Sequence, residues 1–221
     1  MQIRSAALSL LVLMAACTDA PEASARPVAH HADPSKWTIG PIIQGRNYSP
    51  GMPLHPAQSR EGGLQIELPR APASLHYVTF PHGPLTEKSR IVMHYRIEAD
   101  PGVRIVPTTA PSSPSLITLY FQRGGDNWTG RRAFESYRWY ATFATKSDVK
   151  PGQYVMVAPL NANWTAVQAS TAATAPGAYR AAIANADQVG FVLGGGDGFG
   201  HGVHIEGRGR ARLIVTDFRI E

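Results

Sequence analysis

Three segments of the chain alternate so that planar rings and forked donors fall on one side of each. In residues 90–98, Arg90, Val92, His94 and Arg96 share one side, and Ile91, Met93, Tyr95 and Ile97 share the other. In 116–123, Leu116, Thr118, Tyr120 and Gln122 oppose Ile117, Leu119 and Phe121. In 136–143, Ser136, Arg138 and Tyr140 oppose Tyr137, Trp139, Ala141 and Phe143. Side chains alternate faces along an extended chain. If the three segments are neighbouring strands, His94, Arg96, Tyr120, Gln122, Arg138 and Tyr140 line one sheet face. Aromatic rings stack on the C–H face of a pyranose, and Gln and Arg pair with vicinal hydroxyls in fixed geometry. Arg also grips a uronate carboxylate through two parallel bonds. The other reading of the same pattern is a sheet face made polar for solubility.

Loops add to the set. Residues 122–130 carry Asp126 and Trp128 among Gly and Asn, and Trp164 lies in a similar polar stretch, 161–165. Loops on a rigid scaffold are where binding residues concentrate; the alternative is a ring that caps the core. The glycine-rich run 194–202 is no phosphate loop, because no Gly-Lys-Ser/Thr follows and the next segment reads as a strand. Asp197, His201 and His204 lie close together in sequence, at a spacing that fits no zinc pattern. They read as loop residues bonded to the backbone.

The elements that must position these residues read as β. The 18 Pro and 21 Gly punctuate short runs rich in Val, Ile, Tyr, Phe and Thr, the signature of a sandwich or barrel. Strands are expected over 64–68, 75–80, 90–98, 116–123, 136–143, 154–158, 189–193, 203–206 and 211–220. A short Ala-rich helix is expected over 177–186. Many antiparallel strands with long loops favour an all-β antiparallel sandwich of the jelly-roll type. An immunoglobulin-like sandwich lacks its Cys…Trp…Cys pattern here.

The N-terminus has a basic start, Met1 to Arg4, an apolar run, Ala6 to Ala16, and then Cys17. This describes a secretory signal, too short to span a bilayer as a helix. Leu13-Met14-Ala15-Ala16-Cys17 resembles the lipobox of bacterial lipoproteins, with Met14 in place of the usual Leu. The resemblance implies removal of 1–16 and a lipid on Cys17, the single cysteine of the chain. Residues 17–36 then form a tether rich in Ala, Pro and Ser, and 37–221 one domain. Thr18 after the Cys is not the inner-membrane retention Asp, so the expected location is the outer membrane, facing periplasm or surface. The formal charge is +5 with a pI near 9.6, but the basic residues are scattered. The densest cluster is Arg208, Arg210 and Arg212. A nucleic-acid reader shows a Lys/Arg stripe, so nucleic acid is not an expected partner.

The pattern 189–196, with Gly200-His201-Gly202-Val203 and then Ala211 to Phe218, resembles the C-terminal half of galactose-binding-like jelly rolls. These include several carbohydrate-binding modules. The resemblance implies a glycan partner and no catalytic cofactor. It also implies a structural calcium near the last strand, with Asp217 as the matching carboxylate. Enzyme motifs are sparse: there is no Gly-x-Ser-x-Gly elbow, and no local pair marks a glycosidase among the 16 acids. The expected function is non-catalytic polysaccharide binding by an envelope lipoprotein. One alternative is a jelly-roll polysaccharide lyase, with His94 or Tyr140 as base and Arg96, Arg138 and Gln122 neutralising the uronate. Another is a structural lipoprotein without a small ligand.

Overall fold

The computed structural model describes residues 33–72, 75–143, 145–196 and 199–221. The leader, Cys17, the tether up to residue 32 and Asp197 lie outside the described residues. In chain order the strands are β1 (Thr38–Gly40), β2 (Ile42–Ile43), β3 (Arg46–Asn47), β4 (Ala57–Gln58), β5 (Leu64–Glu67), β6 (His76–Pro81), β7 (Arg90–Ala99) and β8 (Arg104–Pro107). Then come β9 (Leu116–Arg123), β10 (Arg138–Tyr140), β11 (Lys146–Asp148), β12 (Gly152–Pro159) and β13 (Thr165–Ala166). The helix α1 (Pro176–Ala184) precedes β14 (Ala186–Gly194), β15 (Val203–Glu206) and β16 (Ala211–Ile220).

Two antiparallel sheets face each other. The larger runs β1-β6-β14-β9-β10-β13, with β11 also on β9, and the smaller runs β12-β7-β16-β5-β4. The chain crosses repeatedly between the sheets, which leaves the inner orders β5-β16-β7-β12 and β6-β14-β9-β10. Those two interleaved four-stranded orders are the eight-strand jelly roll, as the sequence pattern led us to expect.

Alternation explains the core. Ile91, Met93, Tyr95 and Ile97 of β7 face Ile117, Leu119 and Phe121 of β9 across the sandwich. Trp37 sits between the sheets, 4.6 Å from Phe80 and 5.0 Å from Phe218 by ring centroids. Helix α1 starts on Pro176, whose fixed φ suits a first turn. It buries Tyr179, Ala182 and Ile183. Tyr179 packs 4.8 Å from Trp139 and donates to the Leu160 carbonyl at 2.7 Å. Ala186, placed at the helix end by composition, begins β14 instead.

Two expectations fail here. The segment 136–143 is extended only over Arg138–Tyr140, because a 3-10 turn occupies Arg132–Ser136. More consequentially, β7 belongs to the smaller sheet, whereas β9 and β10 belong to the larger. The three alternating segments are not neighbours, so their polar sides cannot merge into one face.

One buried group makes stability depend on pH. His76 is fully buried and its Nδ1 accepts the backbone N–H of Val203 at 3.1 Å. Burial, helped by nearby His204, lowers its pKa from 6.5 to about 4. The unfolded chain therefore takes up a proton below pH 6.5 that the folded protein refuses until about pH 4. The contribution is nil above that window and destabilising within it, reaching about 3 kcal/mol at its acid end. Urea unfolding at pH 6.5 and pH 4 should show this loss, and His76→Asn should lack it. An equal acid loss in both proteins would contradict the assignment.

Candidate functional site

The outer face of the larger sheet is read from its register. One row runs Thr38, Thr79, Gly190, Tyr120, Tyr140 and Thr165. A flanking row runs Pro81, Gln188, Gln122 and Arg138. On the other side lie Gly40, Tyr77, Val192 and Thr118. In a solvated sandwich this face would be wet. Here Tyr77, Tyr120, Tyr140 and Val192 form a second apolar layer under two loops. Phe199 packs 4.6 Å from Tyr140, and the Tyr77 hydroxyl lies 2.7 Å from that of Tyr140. A Cβ on Gly200 would come within 2.5 Å of the Tyr77 ring, so glycine there lets the backbone lie directly on that ring.

The second loop is held from beneath by a buried ion pair. Arg138 Nε lies 3.0 Å from Asp126 Oδ2, and the two side chains are 8% and 0% exposed. The N–H does not point along the contact, so charge rather than a linear hydrogen bond holds the pair. Arg138 Nη2 also donates to the Trp128 carbonyl at 3.2 Å. Tyr120 donates to Gln122 Oε1 at 2.8 Å, and Gln122 Nε2 donates to Asp126 Oδ2 at 3.2 Å. Burial pushes the Asp126 carboxyl up, against the pull of Arg138 and the amides of Trp128 and Asn127.

These contacts set the pose of Trp128. Asp126 Oδ1 accepts the Trp128 N–H at 3.0 Å, and Trp128 takes φ +66°. A bulky residue in the left-handed region costs about 1 kcal/mol or more and persists only where surroundings impose it. The ring meets the Arg138 guanidinium at 4.9 Å and the Tyr77 ring edge-on at 5.2 Å.

Trp128 forms a wall of an open cleft of about 240 Å³. Gln122, Gln188 and Asp187 line it, with Thr38, Gly40, Pro41, Ile42, Tyr77 and Thr79. A second trough, over Ser35, Lys36, Phe80 and Pro81, shares Thr38 and Gln188 with it. The two adjoin on the β1 side of the sheet. Chemically the Trp128 cleft offers one indole wall, two planar amides, a carboxylate and hydroxyls, with Ile42 and Pro41 as its apolar lining.

The other predicted residues separate. Tyr120 and Tyr140 are fully buried, and Arg138 is covered. They support Trp128 and Gln122 from below rather than meeting solvent. Burial also pushes Tyr77, Tyr120 and Tyr140 upward, so their hydroxyls stay protonated at neutral pH. His94 and Arg96 are on the outer face of the smaller sheet, in a separate cleft of about 360 Å³ with Glu61, Gln153 and Tyr154. Arg96 is paired there with Glu61 and Glu98. The lyase set is thus divided between opposite faces, and His94 cannot share a substrate with Tyr140, Arg138 or Gln122. Trp164 is a core residue, 5.2 Å from Phe121, with its indole N–H donated to the Pro159 carbonyl at 2.9 Å. Asp217 pairs with Arg219. Among the described residues no three His, Cys, Asp or Glu side chains gather to hold a metal. With a guanidinium already on Asp217, the side chains there do not fit a calcium ion. His204 lies 4.0 Å from Glu206.

Sequence reading missed Asp187, Gln188, Thr38 and Thr79. The signal for Gln188 was present, since Gln188, Gly190 and Val192 continue one alternation. Opening the strand at Val189 left it out.

No family model matches the chain, and no curated protein matches it. Among solved structures, a xylan-binding module CBM15 is 13% identical with a TM-score of 0.39, over 86% of this chain and 97% of that one. Xylanase10C (mutant E385A) from Cellvibrio japonicus in complex with xylopentaose is 9% identical with a TM-score of 0.37, over 86% of this chain and 28% of that one.

Removing one partner of a buried ion pair strands the other charge, at a cost of about 3–5 kcal/mol. Asp126→Ala should therefore lose about that much stability in urea unfolding, while Asp126→Leu combined with Arg138→Met should regain most of it. A single variant as stable as the parent would show that the pair does not hold the loop.

Proposed function

We propose that the protein binds carbohydrate chains in the groove walled by Trp128 and holds them without chemical change. The observation that carries this reading is the pose of Trp128. A strained backbone, fixed by Asp126, sets a half-buried indole beside two amides on a sheet face that is otherwise closed. Strain of this kind is kept where the surroundings over-determine it, commonly at binding sites. An indole offers an apolar face to sugar C–H groups, while Gln122, Gln188 and Asp187 supply the donors and acceptors that hydroxyls need. The open groove suits a chain rather than a single sugar. Among the described residues no histidine lines the groove, and the tyrosine beneath it is kept protonated by burial, which favours holding a chain over cleaving it.

The envelope setting belongs to the same proposal. A lipid on Cys17 would place the groove at the membrane surface, with the tether as spacer. Labelling of the exported protein by a palmitate analogue should be lost in Cys17→Ser.

Binding of the purified protein to a panel of neutral and acidic glycans tests the function. Trp128→Ala should weaken binding by about tenfold or more, as loss of an aromatic anchor does. His94→Ala, across the sandwich, should leave it unchanged. The reverse pattern would move the site to the smaller sheet. No binding to any glycan by the folded protein would sink the reading and leave a structural role in the envelope.

A further inference from the structure

We infer that Asp187 makes the groove selective for uncharged glycans by repelling uronates; this rests on the carbohydrate reading of the same cleft. The inference begins with a break in the register of β14. Ala186 pairs with Arg123 and Gln188 with Gln122, so Asp187 is the extra residue of a β-bulge. On a regular strand, consecutive side chains point to opposite faces. Here Asp187 and Gln188 both line the cleft, which the bulge makes possible, and re-aiming a side chain is a recurrent use of bulges. The bulge is fastened on both sides. The Asp187 carbonyl accepts the His82 N–H at 2.9 Å, and Gly124 N–H donates to the Asn185 carbonyl at 3.0 Å. A Cβ on Gly124 would stand 3.3 Å from that of Asp187, so the loop that carries Trp128 closes directly onto the bulge.

The charge of the cleft follows. Asp187 is exposed, and among the described residues no Lys, Arg or His lines the cleft with it. Arg138 belongs to the same row as Gln188 and Gln122, but Asp126 neutralises it underneath. Lys36 lies in the adjoining trough, beyond Thr38 and Gln188. A sugar carboxylate in the cleft would therefore share a space of about 240 Å³ with a like charge, and charges that share so small a space are only partly screened. A neutral sugar would instead donate its hydroxyls to Asp187 in charge-assisted bonds. One residue thus favours one class and disfavours the other.

The test is calorimetric titration of the protein and of Asp187→Asn and Asp187→Lys. The probes are neutral oligosaccharides of xylan, cellulose and mannan, and acidic oligosaccharides of polygalacturonate and alginate. The parent should bind at least one neutral oligosaccharide and prefer it to the acidic ones. Asp187→Lys should shift the acidic-to-neutral preference by about tenfold or more, the size of one partly screened charge contact, and the gain should fade with added salt. Asp187→Asn should fall between. A parent that binds uronates as tightly as neutral glycans, or an unchanged preference in a folded Asp187→Lys, would overturn the role of Asp187 while leaving carbohydrate binding intact. Failure of every oligosaccharide to bind the parent would overturn both.

Discussion

The site depends on a salt bridge out of reach of solvent. Asp126 and Arg138 would each be costly to bury alone, so a loop arrangement that parts them is disfavoured. Arg138 comes from the sheet and Asp126 from the loop, so their pairing pins loop to sheet. Three consequences follow from this one contact. The Asp126 carboxylate caps the Trp128 amide and turns that residue into the left-handed region. The guanidinium lies against the indole and fixes its tilt. The positive charge is neutralised below the surface, so the cleft takes its charge from Asp187.

The jelly roll supplies the platform, but the site arises where the fold departs from regularity. A sandwich keeps its polar residues on the outer faces of both sheets. In this protein the outer face of the larger sheet is mostly closed by a tyrosine layer with two loops laid over it. Solvent reaches the β1 side, where the Asp187 bulge and the Trp128 loop meet. The buried tyrosines matter by being rigid: they give Trp128 and Gln122 a packed floor. Preorganisation of this kind reduces the ordering cost of binding.

Much of the fold was legible in the sequence. Period-two alternation located β7 and β9, because each has one face in the apolar core. The shortest strands, such as β2, β4 and β13, left no signal, since two residues carry no period. The sheet to which a strand belongs was not legible either. Arg96 and Arg138 look alike in alternation, yet the crossovers of the jelly roll send one to each face. Within the site, Gln122, Asp126 and Trp128 were visible as polar and aromatic residues at a strand end and its loop. Trp164 showed the same local pattern and proved to be core, its indole N–H satisfied by a nearby carbonyl as that of Trp139 is. Asp187 was invisible in principle, since a bulge is a property of pairing and not of composition.

Four tryptophans make the central claim directly measurable. Trp37, Trp139 and Trp164 are fully buried, and Trp128 lines the cleft. In a nitrogen-labelled NMR titration with neutral glycan oligosaccharides, the four indole N–H signals report separately. The account predicts that the Trp128 signal moves together with the side-chain amides of Gln122 and Gln188, while the other three indoles stay fixed. Movement centred on Gln153 and the backbone of His94 and Tyr154, with Trp128 unmoved, would contradict it.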